Sequence, residues 1–333
     1  MSGLLLGIET SCDETAAALV DVSGRVLSSV ISSQISIHAK FGGVVPELAS
    51  RAHEQVILEV VGEAFSAAGL EPSGSHLEAV AVTKGPGLAG SLMVGVAAAK
   101  ALALGWRVPL VGVNHLEGHI FAIHLEEAVV EYPMVVLVVS GGHTMIVRVQ
   151  ERGVYEILGE TCDDAAGEAF DKVARFLGLG YPGGPEIERV ATRGDPLAVR
   201  FPTARLKGRY DFSFSGPKTA VVNFVKANPS VSVADIAASF QRSVVEVLVE
   251  RTIAAALATG CVSVGLSGGV GANTLLRERL ALLGAESGLK AYIPAKLNCT
   301  DNGAMIAAAG WYLLDRFGPS DPELDVYPSL RLA

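Results

Sequence analysis

Residues 4–31 break into short apolar runs and polar turns: LLLGIET, SCDE, TAAALVD, VSGR, VLSSVIS. Apolar runs of this length bounded by Ser, Asp and Gly read as strands, so the stretch predicts an antiparallel meander. Residues 134–159 follow the same plan: MVVLVV, SGGH, TMIVRVQ, ERG, VYEILG. At an offset of 129, Ser11 meets Ser140, Thr15 meets Thr144 and Gly24 meets Gly153. That pattern predicts a duplication, against the plainer reading that two unrelated meanders look alike. Helical periodicity follows each meander, in PELASRAHEQVILEVVGEAF, with Pro46 in its first turn, and in DDAAGEAFDKVARFLGL. Further strands are expected at Leu77–Thr83, Val108–Val113, Cys261–Leu266 and Leu289–Ile293, alternating with helices. The expected class is α/β, with mixed sheets covered by helices. No low-complexity linker separates the halves, and the divide is expected near residues 112–130.

Half of the 333 residues are apolar and 18% are charged, which suits a packed protein of two domains or one large α/β unit. The formal charge of −9 argues against a stand-alone nucleic-acid binder, so any nucleic acid must meet a local patch or a partner. One basic stretch exists. Arg189, Arg193, Arg200, Arg205, Lys207, Arg209 and Lys218 share their segment with only Asp195 and Asp211. It reads equally as a phosphate-contact surface or as an exposed loop. The cysteines Cys12, Cys162, Cys261 and Cys299 are scattered and form no CxxC, which fits a reducing cytosol. LLLGI meets Glu9 and Asp13 at once and follows no basic region, so it does not read as a signal peptide. The apolar run Leu92–Leu104 is broken by Lys100, and no membrane span is expected.

Several glycine loops carry candidate chemistry. Gly85-Pro-Gly87-Leu-Ala-Gly90 fits GxGxxG between a strand and a helix, but the acidic residue a dinucleotide fold places about 20 positions on is missing. A tight turn explains it as well as a ligand does. Gly265-Leu-Ser267-Gly-Gly269 fits GxSxG, yet every histidine lies at or before His143, so a serine hydrolase lacks its base. LSGGVGAN and VVSGGHT read better as ligand loops whose backbone N–H groups meet phosphate or a ring edge. Two such loops in different halves suggest a nucleotide in a cleft between them. Asp164, Glu168, Asp171 and Arg175 recur at helical spacing, either as a solvated face or as a ribose-binding carboxylate stripe. Pro185 is expected to start a helix after Gly183 and Gly184, with N–H groups open to an anion or plainly capped.

VNHLEGHIFA places His115 and His119 four residues apart, on one face if helical. A zinc protease of the HExxH type keeps its base beside the first histidine, whereas Glu117 lies about 200° around the helix from His115. The protease reading therefore loses its base. HxxxH remains either a metal pair or polar surface, and Asp301 in NCTDNGAMIA either a third ligand or a helix cap.

In order along the chain, GIETSCDETAAALVD, GGVVPELASRAH, KGPGLAGSLMVG, VNHLEGH, VVSGGHT, DDAAGEAFDKVARFLGLGYPGGP, FSFSGPKTA, LSGGVGAN and CTDNGAMIA resemble the TsaD/Gcp family. That family comprises the tRNA N6-adenosine threonylcarbamoyltransferases, and the resemblance covers nearly the whole chain. Pro217 is a departure, standing where the family often has Leu, and puts the local loop conformation in question. The resemblance implies an α/β actin/Hsp70/sugar-kinase-like fold of two ribonuclease-H-like halves with a ligand cleft between them. The halves would be residues 1–112 plus about 303–333, and 113–302 with the metal and nucleotide loops. It implies transfer of threonylcarbamoyl from threonylcarbamoyl-AMP to N6 of adenosine 37 in tRNAs reading ANN codons, with release of AMP. A sugar-kinase-like or chaperone-like ATPase would share the fold but leave the HxxxH pair unexplained.

Carried over residue by residue, the resemblance implies that His115, His119 and Asp301 hold one divalent transition metal, iron or alternatively zinc. Val138, Val139, Ser140, Gly141 and Gly142 would contact the donor. Asp171 and Glu188 would hold the ribose, Gly184 would allow close approach, and Asn273 would face the adenosine. Asp13 or Glu14 would be the catalytic acid or base. The implied partners are tRNA, a shorter paralogue lacking the metal motif and a small P-loop ATPase. The implied location is the cytoplasm, with no membrane.

Overall fold

Each meander forms the antiparallel half of a five-stranded mixed sheet. The first sheet comprises β1 (Leu4–Glu9), β2 (Glu14–Asp21), β3 (Val26–Ser33), β4 (Leu77–Gly85) and β5 (Leu110–Asn114), in the order β3-β2-β1-β4-β5. The second comprises β6 (Met134–Val139), β7 (Thr144–Glu151), β8 (Val154–Glu160), β9 (Ser263–Ser267) and β10 (Lys290–Tyr292), in the order β10-β9-β6-β7-β8. Read from its other end, the second order is that of the first. The pairing repeats too. β1–β2 and β6–β7 are antiparallel, while β1–β4 and β6–β9 are parallel. Gly24 and Gly153 close the second hairpin of each meander at φ 86° and 82°. The duplication expected from residues 4–31 and 134–159 is present in strand order, direction and turn geometry.

The computed structural model describes residues 3–126, 129–203, 206 and 208–333. Two compact units emerge, Met1–Val130 with Asp301–Leu332, and Glu131–Thr300. In the first, β1 is buried on both faces, which explains its unbroken apolar run. Leu4, Leu6 and Ile8 pack with Ile57, Val61 and Phe65 of helix Pro46–Ala67 and with Val96 and Ala99 of helix Ala89–Trp106. Leu5 faces the opposite layer with Val113, Phe121, Met305 and Ala309. In the second unit, Val135, Leu137 and Ile146 of the sheet meet Phe170, Val173, Phe240, Val244 and Leu248. Each such side chain contributes about 1.5–3 kcal/mol by leaving water. By length and composition alone, Ala89–Trp106 is apolar enough to cross a membrane, but one of its faces is buried in the first unit's core.

The division differs from the one the resemblance implied. Residues 113–126 pack with the first unit, because helix His115–Phe121 lies against helix Gly303–Phe317. The HxxxH pair therefore belongs to the first unit, and the glycine loops at Val138–Gly142 and Ser267–Asn273 belong to the second.

The C-terminal tail covers β5, an edge strand of the first sheet, as unpaired edges require. Ser320 N–H donates to the Leu110 carbonyl, and Gly112 N–H donates to Ser320 Oγ. The Asn114 amide donates to the Arg331 carbonyl at 2.8 Å.

Candidate functional site

Helix His115–Phe121 begins where Asn114 ends β5. The Asn114 side chain accepts from Leu116 N–H at 2.9 Å and from Glu117 N–H at 3.4 Å, a standard N-cap. Gly118 lets this helix approach its neighbour, since a Cβ there would lie 2.7 Å from Ile306 Cδ1. That neighbour, Gly303–Phe317, is capped by Asn302, whose Oδ1 accepts from Met305 N–H at 2.8 Å. Asn302 thus performs the capping that the sequence left open for Asp301. The Asp301 carboxylate faces the histidines instead.

His115, His119 and Asp301 each offer one ligand atom within 4.8 Å of the others. His119 is fully buried, and neither of its ring nitrogens has a hydrogen-bond partner among the described residues. Its Nε2 nevertheless lies 3.1 Å from Asp301 Oδ1, and His115 Nε2 lies 3.7 Å from the same oxygen. A close N···O approach outside hydrogen-bond direction is what atoms aimed at a common third point produce. Two imidazoles and a carboxylate suit a divalent transition metal and leave coordination positions open. Glu117 is not in this cluster.

Glu9, at the end of β1, is fully buried beside the cluster. Burial works against its charge, but His115 outweighs this and its pKa is lowered. Burial likewise disfavours a charged His115, but Glu9 and Asp301 raise its pKa to about 9. The next turn carries Asp13 and Glu14. Burial first, then repulsion from Asp13 and Asp301, raises Glu14 to about 9, so near neutral pH it holds a proton. Its side chain is hydrogen-bonded to Asp13, which places that proton beside the Asp13 carboxylate.

The loop Gly85–Gly90 proves to be a packing turn. Gly87 N–H donates to the Pro328 carbonyl and Leu88 N–H to the Ser11 carbonyl. A Cβ at Gly87 would come within 2.6 Å of that Ser11 oxygen. The loop supports residues 11–14 and spends these two N–H groups on protein.

In the second unit, Val138 and Val139 are buried strand residues paired to β7. The open part of VVSGGHT is Gly141–Gly142, both exposed, with no atom within 4 Å of a Cβ at either. Ser140 is tied down, its N–H donating to the His143 carbonyl and its hydroxyl accepting from His143 N–H. Helix Gly183–Ala191 starts two residues before Pro185, which sits in its first turn. Asp171 Oδ1 accepts from Gly183 N–H at 2.7 Å, so the anion at this helix start is the protein's own carboxylate. Space is open above Gly184. Glu188 accepts from Thr274 N–H and from the Thr274 hydroxyl. Asn273 caps helix Thr274–Glu286 through Oδ1 and donates to Gln241 at 2.9 Å and to Glu188 at 3.4 Å. Helix Gly183–Ala191 thus carries one carboxylate acceptor, Asp171, against its start and a second, Glu188, along its length.

Asp164 departs from the expected helical stripe. It precedes helix Ala166–Phe176 and binds Lys172 at 2.8 Å and Lys218 at 2.6 Å. Pro217 falls in the first turn of helix Ser215–Ala227, where a missing N–H disturbs nothing. Arg205 and Lys207 of the basic segment lie outside the described residues.

A family model for tRNA N6-adenosine threonylcarbamoyltransferases matches residues 25–308. The chain belongs to the TsaD family. Among the family's curated members, one from Symbiobacterium thermophilum is 54% identical, aligned over 99% of this chain and 97% of its own. One from Anaeromyxobacter dehalogenans is 52% identical over 98% of this chain and 99% of its own. Both are named tRNA N6-adenosine threonylcarbamoyltransferase. Among solved structures, full-length HypF in its phosphate- and nucleotide-bound form matches with a TM-score of 0.61 at 16% identity, covering 96% of this chain and 47% of HypF. Component A of the Acidaminococcus fermentans (R)-2-hydroxyglutaryl-CoA dehydratase matches at 0.56 and 15% identity, covering 95% and 100%. At these identities the structures speak for the fold, the actin/Hsp70/sugar-kinase type that the TsaD resemblance implied.

Two buried residues of this TsaD-family chain, Glu9 and His53, lie within the motifs GIETSCDETAAALVD and GGVVPELASRAH, which assigned them no role. Glu9 was legible only as a carboxylate ending an otherwise apolar strand. His53 gave no local signal. Its Nε2–H donates to the Cys12 carbonyl at 2.9 Å and its Nδ1 accepts from the Thr15 hydroxyl at 2.7 Å, steadying the turn that carries Asp13. Burial is the main cause that lowers the His53 pKa from 6.5. The unfolded chain therefore binds this proton more readily, and stability must fall as pH drops through about 6.5. We expect the Tm of the metal-free protein to fall more steeply between about pH 7 and 5.5 than that of His53→Gln. Parallel pH profiles for the two would contradict a neutral buried His53.

Proposed function

We propose that the protein transfers threonylcarbamoyl from threonylcarbamoyl-AMP to N6 of adenosine 37 in tRNAs reading ANN codons. What carries this reading is the match to named transferases along nearly the full chain. In the reaction a bond forms between N6 and the carbamoyl carbon, the bond from that carbon to the phosphate oxygen breaks, AMP leaves, and the N6 proton passes to a base. An exocyclic adenine amine is a weak nucleophile, because its lone pair is delocalised into the ring. The enzyme must therefore hold an activated donor and accept the proton.

His115, His119 and Asp301 would hold the metal, for which iron is the first choice and zinc the second. A divalent metal with open positions supplies a Lewis acid worth several kcal/mol against developing negative charge. Asp171 and Glu188 would accept from ribose hydroxyls, and Gly184 would leave room for the sugar. Gly141 and Gly142 would offer N–H groups to phosphate or carbamoyl oxygens, while Val138 and Val139 would act only through backbone. Asn273, with its amide already engaged, would hold Glu188 in place beside the adenosine. Asp13 is the candidate base, because Glu14 already carries a proton near neutral pH.

Adenosine 37 lies in an anionic tRNA, so the acidic chain needs local cations. Arg189 to Lys218 would supply them, pairing with phosphates and not with bases. Changing Arg205, Lys207 and Arg209 together to Ala is expected to weaken tRNA binding. The salt slope should flatten by roughly 0.7–0.9 for each phosphate that is no longer neutralised. Unchanged affinity and slope in filter binding across a salt series would remove the segment from the interface.

A cytoplasmic location fits a tRNA substrate and four free cysteines. A shorter paralogue without the metal motif and a small P-loop ATPase would assist. The apolar groove formed by the exposed Leu58 and Met93 with the half-buried Val94 and Leu102 is a surface a stable partner would cover. The deciding experiment incubates unmodified tRNA with the protein, its partners and threonylcarbamoyl-AMP, then measures nucleosides by mass spectrometry. Threonylcarbamoyladenosine at position 37 is expected. Its absence, with the partners shown to be active with another family member, would overturn the assignment.

A further inference from the structure

The cluster beside the Asn114 cap is asymmetric. Among the described residues, neither nitrogen of His119 has a hydrogen-bond partner, although its Nε2 approaches the Asp301 carboxylate at 3.1 Å. His115 is different. Its Nδ1 lies 3.0 Å from Glu9 Oε2 and 3.2 Å from Ser11 Oγ. The Glu9 carboxylate is itself clamped. Oε1 accepts from Ser11 N–H, and Oε2 accepts from the Thr83 hydroxyl of β4, both at 2.5 Å. Strand, turn and neighbouring strand thus fix a fully buried carboxylate against one edge of one imidazole. The other edge of that imidazole, Nε2, faces Asp301.

We propose that Glu9 is a positioning residue for the metal, one that takes the Nδ1 proton of His115 in a hydrogen bond and so presents Nε2, free to coordinate, toward Asp301 and His119. The proposal rests on the reading of this cluster as a metal site. An imidazole coordinates through a nitrogen that has lost its proton, and the hydrogen bond made by the other nitrogen decides which one that is. A carboxylate can only accept, so Nδ1 must carry the hydrogen. His119 has no equivalent partner among the described residues, and the orientation of the ligand set therefore leans on His115.

The isosteric change Glu9→Gln separates this role from mere space-filling. In one amide orientation the NH2 group faces His115 Nδ1, donates to it and moves the ring hydrogen to Nε2, where it blocks coordination. In the other, the NH2 group faces the Ser11 N–H, and two donors collide. Either way the volume is kept and the preference of the ring is lost. Ser11→Ala is the companion variant. It removes the hydroxyl near the same nitrogen and leaves the carboxylate in place.

The test is a competition titration of the full-length metal-free proteins with Zn2+ against a chromophoric chelator, repeated with Co2+ to record its ligand-field spectrum. Glu9→Gln should bind Zn2+ about 10–100-fold more weakly than wild type, with an altered Co2+ spectrum. Ser11→Ala should bind close to wild type. Wild-type affinity and spectrum in a folded Glu9→Gln would overturn the inference while leaving the metal site standing. A wild type that binds neither ion would overturn the metal reading itself, and this inference with it. If Glu9→Gln does not fold, the zinc-loaded wild type decides by NMR with 15N-labelled histidine. A downfield His115 Nδ1–H signal protected from exchange supports the proposal, and a rapidly exchanging one overturns it.

Discussion

Asp301→Ala is expected to lose its metal almost completely and to slow threonylcarbamoyl transfer by at least about 100-fold while remaining folded. The fold survives because the start of helix Gly303–Phe317 is held by its neighbour. The Asn302 side chain accepts the Met305 N–H, and that cap bond is untouched by the substitution. The companion variant Asn302→Ala should do the reverse. It should reduce stability by about 0.5–2 kcal/mol, as N-cap removal does, and keep its metal. His115→Ala is a poorer probe, because it strands the buried Glu9 carboxylate without its partner, a loss on the order of 3–5 kcal/mol. Elemental analysis of untagged protein, beside urea unfolding, reads both quantities. Full metal occupancy in a folded Asp301→Ala would show that the cluster is not the metal site.

Asp13→Asn is expected to lower the transfer rate by about 10²–10⁴ at saturating tRNA and donor, the range for removing a general base. Glu14→Gln should be far milder. Glu14 holds its proton near neutrality because burial, Asp13 and Asp301 raise its pKa to about 9, and a glutamine imitates a neutral carboxylic acid. The sign matters for pH as well. A carboxyl group whose folded pKa is raised contributes stability that is full below about 4.5 and lost as pH climbs through about 9. Metal-free Glu14→Gln should therefore lose less stability than wild type between those limits. Single-turnover rates settle the catalytic question. A collapse in Glu14→Gln with Asp13→Asn nearly intact would reverse the two roles.

Local patterning carried the sheets because their information is local. β1 and β6 are buried on both faces and read as continuous apolar runs, while Gly24 and Gly153 mark the hairpins that follow. His115 and His119 were legible for the same reason, since four residues along a helix is one turn. The sequence was equivocal wherever two segments compete for one job. Asp301 and Asn302 are adjacent, both can cap, and only the seating of Gly303 against Gly7 and Ala18 decides which one does. GPGLAG could have met a phosphate, but Pro328, far along the chain, takes the Gly87 N–H. Asp164 matched a helical spacing, yet Lys218 draws it into a loop before the helix begins.

The sequence by itself determined the duplicated α/β plan, the two-histidine helix, the glycine loops and the family, because each depends on residue types at fixed short spacings. Only the tertiary structure decided that residues 113–126 pack with the first unit, that Asp301 faces the histidines, that Glu9 and Thr83 stand behind His115, and that His53 stands behind the turn at Cys12. The physical reason is that hydrogen bonds to buried polar groups are made by whichever partner the fold brings near. Glu9 and His115 are 106 positions apart in the chain, and no periodicity reaches across that distance.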